Sequence, residues 1–349
     1  MRDRRVVFTD TDNVSLEEFD FDPDGLAPDQ CAIESLYSIV SAGTELASLT
    51  GLEARQYPVY PGYGGCGRVT AVGDAVRGIV PGDTVVSYTP HASRVLSGTL
   101  VAKVPTGLDP QLAPAARMAA VGMTALRISN GEPGDRVAVI GLGLVGNLCA
   151  QIFTLAGCEV IGIDLSARRT TLAKKCGVRH VIHASGVDVR ETIADITGGN
   201  MCEVVVEAIG SPAATEQAAG LAGKAGEVIL LGSPRAAHHA DITPLLRSIH
   251  MWGDGCITFK GAHEWRYPTR HNPSGHVKHS IERNVEILLR WMADGRLQTR
   301  DLVTHIVRPD ECATAYAGLR DHKDDYLGVV FDWRSAGSWA DDSRAQHSG

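Results

Sequence analysis

A glycine-rich turn joins a strand-like run to a helix-like run at residues 137–146, which read Val-Ala-Val-Ile-Gly-Leu-Gly-Leu-Val-Gly. In this Gly-x-Gly-x-x-Gly pattern the first glycine permits a tight turn, and the second lets the backbone approach a pyrophosphate. The third lets the helix pack closely on the sheet, and the positive N-terminus of that helix faces the phosphates. The predicted dinucleotide contacts here are Gly141, Gly143, Leu144, Val145 and Gly146.

An acidic residue follows at the distance that this chemistry requires. Asp164 closes the next apolar run, 159–164. A carboxylate at that place can accept hydrogen bonds from both ribose hydroxyls and repels a 2′-phosphate, so the residue favours NAD over NADP. The alternative is a glycine-rich turn in a parallel-sheet protein that binds no nucleotide. The complete strand, turn, helix and acid context argues against that alternative.

Composition limits the other classes of function. The chain has 349 residues, 44% of them hydrophobic, and a net charge of -8. The length predicts about two domains, and the acidic balance argues against nucleic acid or an anionic membrane as a partner. No apolar run approaches the ~18 residues of a membrane span, and no signal-peptide pattern follows Met1, so we expect a cytoplasmic protein. The eight cysteines form no C-x-x-C pair, which predicts reduced thiols.

The hydrophobic pattern changes along the chain and predicts an α/β fold. Residues 1–128 are β-rich, with strand candidates at 32–39, 67–72, 83–87 and 99–104 and a helix at 114–129. From residue 135 strands and helices alternate, which is typical of a doubly wound parallel sheet. The predicted strands are 136–140, 159–163, 179–182, 203–208 and 227–231, and the predicted helices are 144–156, 166–175, 188–195, 212–223 and 241–248. Helices at 277–295 and 310–319 and a strand at 326–333 follow.

This order predicts a first domain at 1–128 that is completed by 262–333, and a nucleotide-binding domain at 129–261. The last residues, 334–349, are polar and unpatterned, which predicts a disordered tail.

Several motifs occur together in one order. They are Ser41-Ala-Gly-Thr-Glu45, Pro61-Gly-Tyr-Gly-Gly-Cys-Gly-Arg-Val, Val72-Gly-Asp-Ala-Val76, Pro81-Gly-Asp-Thr-Val, the Gly141 turn, Glu207-Ala-Ile-Gly210 and Leu231-Gly232. In these motifs the chain resembles the medium-chain dehydrogenase/reductase family of the zinc alcohol dehydrogenase kind. The resemblance implies a GroES-like β-rich catalytic domain, a Rossmann domain, an active site in the cleft between them, and a homodimer or homotetramer.

The chain departs from that family at the metal positions. Where the zinc form has Cys-Gly-Thr-Asp, this chain has Ala42-Gly-Thr-Glu45, and where it has Gly-His-Glu, this chain has Gly62-Tyr63-Gly64. The third ligand falls near Ala116, and residues 87–104 contain no cysteine for a structural zinc. Zinc needs thiolate, imidazole or carboxylate ligands. We therefore expect neither a catalytic nor a structural zinc.

The resemblance implies further cofactor contacts. Arg169 matches a basic residue that packs beside the adenosine ribose, although a solvated charge on the next helix is an equal alternative. The loops that line the nicotinamide in the family fall on Ile209, Gly210, Gly232 and Ser233.

Without zinc, a side chain must accept the hydroxyl proton of an alcohol substrate. His91 is the preferred general base because histidine titrates near neutrality, and a surface-loop histidine is its alternative. Tyr63 stands where the family has its zinc histidine, so it either binds the substrate oxygen or fills space. Glu45 stands where the family has an acid near the metal, so it either orients one of these groups or makes a structural hydrogen bond.

A polar and aromatic segment, 260–267, follows the last predicted strands of the Rossmann domain. We expect it to line the substrate pocket, with a dimer-interface loop as the alternative. The substrate contacts predicted there are Lys260, His263, Glu264 and Arg266. The favoured function is a zinc-independent, NAD-dependent dehydrogenase that oxidises a secondary alcohol of a sugar, cyclitol or related polyol to a ketone, as in dehydrogenases of secondary metabolism. An NADPH-dependent quinone or enoyl reductase and a non-catalytic nucleotide-binding protein are the alternatives.

Overall fold

Two large β-sheets and the helices packed on them make up the computed structural model, which describes residues 2–270 and 278–334. The first part contains β1 (Asp3–Asp10), β2 (Asn13–Phe19), β3 (Cys31–Ile39), α1 (Ala42–Leu49), β4 (Gly65–Val72), β5 (Thr84–Ser87), β6 (Arg94–Ser97), β7 (Val101–Lys103) and α2 (Ala115–Ile128). The predicted tail, 334–349, lies outside the described residues except for Arg334.

The middle of the chain alternates strands and helices, as predicted. Its elements are β8 (Arg136–Ile140), α3 (Leu144–Leu155), β9 (Glu159–Asp164), α4 (Ala167–Lys175), β10 (His180–His183), α5 (Val189–Thr197), β11 (Cys202–Glu207), α6 (Pro212–Leu221), β12 (Ala222–Leu230), α7 (Thr243–His250) and β13 (Thr258–Gly261). The strands form one parallel sheet in the order β10-β9-β8-β11-β12-β13. Between β8 and β11 the direction of chain progression reverses, which places a ligand crevice at their carboxyl ends.

The last part of the chain returns to the first sheet. It contains α8 (Ile281–Ala293), β14 (Val303–Val307), α9 (Cys312–Asp321) and β15 (Gly328–Asp332). The first sheet has the order β14-β15-β3-β4-β5-β7, and β6 also pairs with β3. Antiparallel pairing sets Val330 of β15 opposite Ile39 of β3, so the two ends of the chain share one sheet. The domain boundaries at 128, 261 and 333 stay predictions.

Some elements were not predicted from the sequence. Helix α1 was not predicted, and its first turn contains Gly43 and Thr44, which are poor helix formers. Its first turn is held by Glu45, whose Oε1 accepts a hydrogen bond from Ser41 N at 2.7 Å. Strands β13 and β14 are only four and five residues long, too short for a clear periodic signal. Within the described residues, no helix is long and apolar enough to cross a bilayer.

Candidate active site

A pocket of about 1400 Å³ opens at the carboxyl ends of β8 and β11. The opposite wall comes from the first part of the chain and includes Ser41, Thr44, Tyr63 and Met118. All of the predicted cofactor contacts line this pocket: Gly141, Gly143, Leu144, Val145, Gly146, Asp164, Arg169, Ile209, Gly210, Gly232 and Ser233. The fold therefore brings the glycine turn, the acid and the two later loops to one cavity.

The three glycines of the turn meet different surroundings. Gly141 has a φ of 91°, in the left-handed region that favours glycine. A Cβ atom on Gly146 would lie 1.8 Å from the carbonyl oxygen of Gly141, so only glycine lets α3 pack this closely. A Cβ atom on Gly143 would meet no protein atom within 4 Å. Since Gly143 lines the pocket, its missing side chain leaves room for a ligand and is not required by the protein's own packing.

Asp164 is held in place by backbone groups. Its Oδ2 accepts a hydrogen bond from Leu142 N at 2.7 Å, and its Oδ1 accepts one from Ser166 N at 2.8 Å. Each carboxylate oxygen keeps a further lone pair for a ribose hydroxyl. Arg169 lies beside it, with Nη1 at 3.9 Å from Oδ2, and donates from Nη2 to the carbonyl of Lys323 at 2.7 Å. The ribose role of Arg169 stays a prediction.

The loops that follow β11 and β12 pack closely against each other where they line the pocket. A Cβ atom on Gly232 would lie 2.0 Å from Gly210 N. The buried Glu207 shapes this corner, because its Oε1 accepts hydrogen bonds from Ile209 N and Gly210 N, both at 2.8 Å. Burial raises the pKa of this carboxyl, and the hydrogen bonds from the backbone oppose that shift.

Tyr63 lines the same pocket as these loops and carries a hydroxyl group. Its hydroxyl shares a short hydrogen bond with the hydroxyl of Ser41, and both residues line the cavity. Burial raises the pKa of Tyr63 to about 12, and the Ser41 hydrogen bond opposes the shift. The phenol is thus protonated at neutral pH and can donate to a substrate oxygen.

Glu45 and His91 lie behind this wall in a buried polar network. His91 has no solvent exposure, and its Nε2 lies 3.0 Å from Glu45 Oε2. Its Nδ1 lies 2.7 Å from Ser38 Oγ, and Tyr316 donates a hydrogen bond to Glu45. The prediction of His91 as a general base does not agree with this placement, because the ring does not line the pocket. Glu45 matches its structural alternative, and it ties α1 to α9.

We expect the His91→Ala substitution to reduce stability more than chemistry. Removing the ring leaves a buried carboxylate oxygen short of a partner, which costs about 1–3 kcal/mol in the free energy of unfolding. Urea denaturation measures this loss, with His239→Ala as the control because His239 is exposed. A folded His91→Ala protein that loses turnover by orders of magnitude would contradict the placement.

The predicted substrate contacts at 260–267 do not line the pocket. Lys260, in the edge strand β13, forms an ion pair with Glu227 and donates to the carbonyl of Ile128 at 3.1 Å. His263 and Arg266 are exposed. Glu264 turns under α2, where it pairs with a buried arginine. Strand β13 lies at the edge of the sheet, and the role of these residues in substrate binding stays a prediction.

Sequence reasoning missed two residues that support Tyr63. Ser41 was named only as the start of a motif, although a hydroxyl two residues after the end of β3 was a usable signal. Arg117 is the buried arginine that pairs with Glu264, and it has no solvent exposure. A cation among the apolar residues of the first turns of α2 was its signal, since buried arginines need partners.

The positions that resemble a zinc site do not fit zinc. Ala42, Gly64 and Ala116 carry no donor atom on their side chains, and zinc binds through thiolate, imidazole or carboxylate groups. Among residues 2–270 and 278–334, no cluster of three histidine, cysteine, aspartate or glutamate side chains could hold a metal ion.

Known proteins resemble this chain in sequence and in fold. The family described as zinc-binding dehydrogenase matches residues 145–267. In these comparisons the chain is similar to proteins of the medium-chain dehydrogenase/reductase family. The matched residues begin in the glycine turn and end after β13, so this match does not include the altered metal positions at Ala42, Tyr63 and Ala116.

One relative in sequence is D-guloside 3-dehydrogenase from Escherichia coli, which is 31% identical over 44% of this chain and 45% of its own length. The chain spans about half the length of the curated relatives it matches. Galactitol-1-phosphate dehydrogenase from Escherichia coli superposes with a TM-score of 0.80 at 19% identity, covering 94% of this chain and 99% of that one. A structure from Sinorhizobium meliloti bound to NADP has a TM-score of 0.77 at 21% identity, with coverages of 95% and 99%. The predicted GroES-like plus Rossmann fold is thereby confirmed.

Proposed function

We propose that this medium-chain dehydrogenase/reductase oxidises a secondary alcohol to a ketone with NAD, and that Tyr63 transfers the hydroxyl proton in place of a metal. The observation that carries the proposal is the hydroxyl pair of Tyr63 and Ser41, which lines the same pocket as the loops at Ile209 and Gly232. The proposed proton-transfer group and the proposed cofactor contacts thus line one cavity.

The pocket wall fits a dinucleotide. Several apolar side chains stand exposed in it, including Leu165 at 72%, Ile209 at 57% and Val187 at 46%. Such surfaces in a concave site are typical of walls that a flat ring covers. The open space at Gly143 and the N-terminus of α3 suit a pyrophosphate. When bound, NAD would supply the hydride acceptor.

The preference for NAD is inferred from Asp164. Its carboxylate is fixed by two backbone donors and lines the pocket. A 2′-phosphate near this charge would be repelled, whereas two ribose hydroxyls would be accepted.

Tyr63 is proposed to accept the substrate proton during oxidation and to donate it back during ketone reduction. During oxidation the substrate O–H bond breaks, its proton passes to a Tyr63 phenolate, and the carbon–oxygen bond becomes a carbonyl as hydride leaves the same carbon. Because the raised pKa of Tyr63, about 12, keeps the phenol protonated at neutral pH, oxidation should accelerate as pH rises. Ketone reduction uses the protonated phenol and should be favoured at neutral pH.

A sugar or cyclitol is the proposed substrate class. The support is the resemblance to D-guloside 3-dehydrogenase and the hydroxyl groups that Ser41, Thr44 and Thr50 contribute to the wall.

Cytoplasmic location stays a proposal. So does assembly as a homodimer or homotetramer, supported by the exposed apolar side chains of Leu246 and Trp252 at 54% and 64%.

A screen tests the function directly. Reduction of NAD is measured against sugars, cyclitols and simple secondary alcohols, with metal analysis of the same sample. We expect turnover of at least one hydroxylated substrate, without stoichiometric zinc and with NADH formed faster than NADPH. Binding of NAD without any turnover would favour the non-catalytic alternative. A strong preference for NADPH with quinones would favour the reductase alternative.

A further inference from the structure

Arg117 is a charged side chain that is fully buried in the protein core, which is unfavourable unless its charge is paired. Its guanidinium, on α2, has no solvent exposure, and Nη1 has no hydrogen-bond partner among the described residues. Nη2 donates to both carboxylate oxygens of Glu264, at 2.8 and 3.1 Å. Replacing a buried ion pair by apolar side chains is often neutral or stabilising. Stability alone therefore does not account for the pair.

The guanidinium lies directly behind Tyr63. Its Nε donates to the backbone carbonyl of Tyr63 at 3.2 Å. Its carbon lies 5.6 Å from the centroid of the Tyr63 ring and 5.2 Å from that of Tyr88, and the two rings stack with centroids 5.6 Å apart. Arg117 therefore contacts the backbone and lies near the ring of the residue that faces the pocket.

Two glycines make room for this arrangement. A Cβ atom on Gly64 would lie 3.2 Å from Arg117 Cβ and 3.0 Å from Ile39 Cγ2, so a side chain there would crowd the arginine. Gly62 has a φ of 102°, and a Cβ atom there would lie 2.8 Å from His91 N. The Gly-Tyr-Gly turn is thus packed against His91 on one side and Arg117 on the other.

We propose that Arg117 and Glu264 form a charge pair behind Tyr63 that positions its ring and tunes its proton transfer. The proposal rests on the proposed function, in which Tyr63 exchanges a proton with the substrate. Arg117 and Glu264 act through Tyr63 and do not line the pocket, so they are positioning residues. The cation stabilises the phenolate, and the carboxylate opposes it.

Several charged or titratable groups face Tyr63 from the elements around it. They are Arg117 on α2, Glu264 after β13, Glu45 on α1 and Tyr88 after β5. Of these, Arg117 lowers the pKa of Tyr63, whereas Glu264 and Glu45 raise it. Glu45 accepts a hydrogen bond from Ser41 N, so its substitution would also disturb Ser41. Arg117 and Glu264 are the charged groups near Tyr63 that can be replaced without removing a hydrogen bond to Ser41.

Opposite substitutions test the pair. In Glu264→Gln the cation remains and the opposing carboxylate is gone, so the midpoint of the oxidation pH profile should fall by about one unit. In Arg117→Met the carboxylate remains alone, so the midpoint should rise by a similar amount. The double variant should return toward the parent midpoint, and Arg117→Lys should rescue part of the shift. Shifts in the same direction, or none, would overturn the proposal.

A second measurement does not depend on turnover. Tyrosine labelled with ¹³C at Cζ reports the titration of each phenol by NMR, and Tyr63→Phe assigns the Tyr63 signal. Its midpoint should fall in Glu264→Gln even if no substrate is found, which separates failure of this proposal from failure of the proposed function. If Arg117→Met does not fold, Glu264→Gln and Arg117→Lys still decide, because an unmoved or raised midpoint in Glu264→Gln contradicts the charge pair.

Discussion

Replacing Tyr63 by phenylalanine should lower kcat/KM for alcohol oxidation by about 10²–10⁴-fold, the range for loss of a general acid–base group. The Tyr63 side chain lines the pocket and its hydroxyl bonds to Ser41, and phenylalanine keeps the ring packed on Tyr88. Steady-state kinetics measure the loss, and calorimetry should give an unchanged affinity for NAD. The unfolding midpoint should also change little.

Tyr60→Phe is the matched control for this substitution. Tyr60 lies three residues earlier, is 40% exposed and bonds through its hydroxyl to Arg5, so its loss should leave kcat/KM unchanged. A Tyr63→Phe enzyme with full activity would remove Tyr63 as the proton-transfer group. Ser41 would then become the next candidate in the pocket wall.

Replacing Asp164 by asparagine should weaken NAD binding by about 10–100-fold and reduce the ratio of the affinity for NAD to the affinity for NADP. The single amide oxygen can accept from Leu142 N or from Ser166 N but not from both, and the negative charge is lost. Hydrogen bonds to charged groups are worth about 1.5–3 kcal/mol, which gives this range for loss of the charge-assisted bonds to ribose. Removing the charge also removes repulsion of a 2′-phosphate. Titration with both cofactors, followed by fluorescence or calorimetry, measures the two affinities.

Asp188→Asn provides the matched control. Asp188 also lines the pocket, but its carboxylate caps α5 by accepting from Glu191 N at 3.0 Å. An amide oxygen can make the same cap, so the NAD to NADP ratio should not change. An unchanged ratio in Asp164→Asn would contradict the assignment of Asp164 as the ribose acid and reopen the NADP alternative.

The residues proposed to bind the nucleotide line one pocket, and this grouping was predictable because its signals are local. The turn at Gly141 and the acid at Asp164 sit at the ends of β8 and β9, and neighbouring parallel strands bring their carboxyl ends to one edge. The loops at Gly210 and Gly232 follow β11 and β12 for the same reason. Each position could therefore be read from its place in an alternating pattern.

The catalytic half depends on contacts between residues far apart in sequence. His91 was expected at the pocket because of its chemistry, yet it lies between Glu45 and Ser38 in the core of the first part of the chain. Glu264 was expected to touch substrate, yet it pairs with Arg117. The hydrophobic periodicity of a short segment does not indicate which polar side chain reaches the pocket and which is buried beside a residue that is distant in sequence.

By itself, the sequence determined the parallel sheet, the glycine turn with the acid at Asp164, and the absence of side-chain donor atoms at Ala42, Gly64 and Ala116. Backbone geometry and side-chain chemistry fix these features over a few residues. The tertiary structure alone decided that Tyr63 and Ser41 face the pocket, while Arg117, Glu264, Glu45 and His91 support them from behind. Burial and charge pairing are properties of the assembled core, because they depend on which elements pack together and not on any one segment.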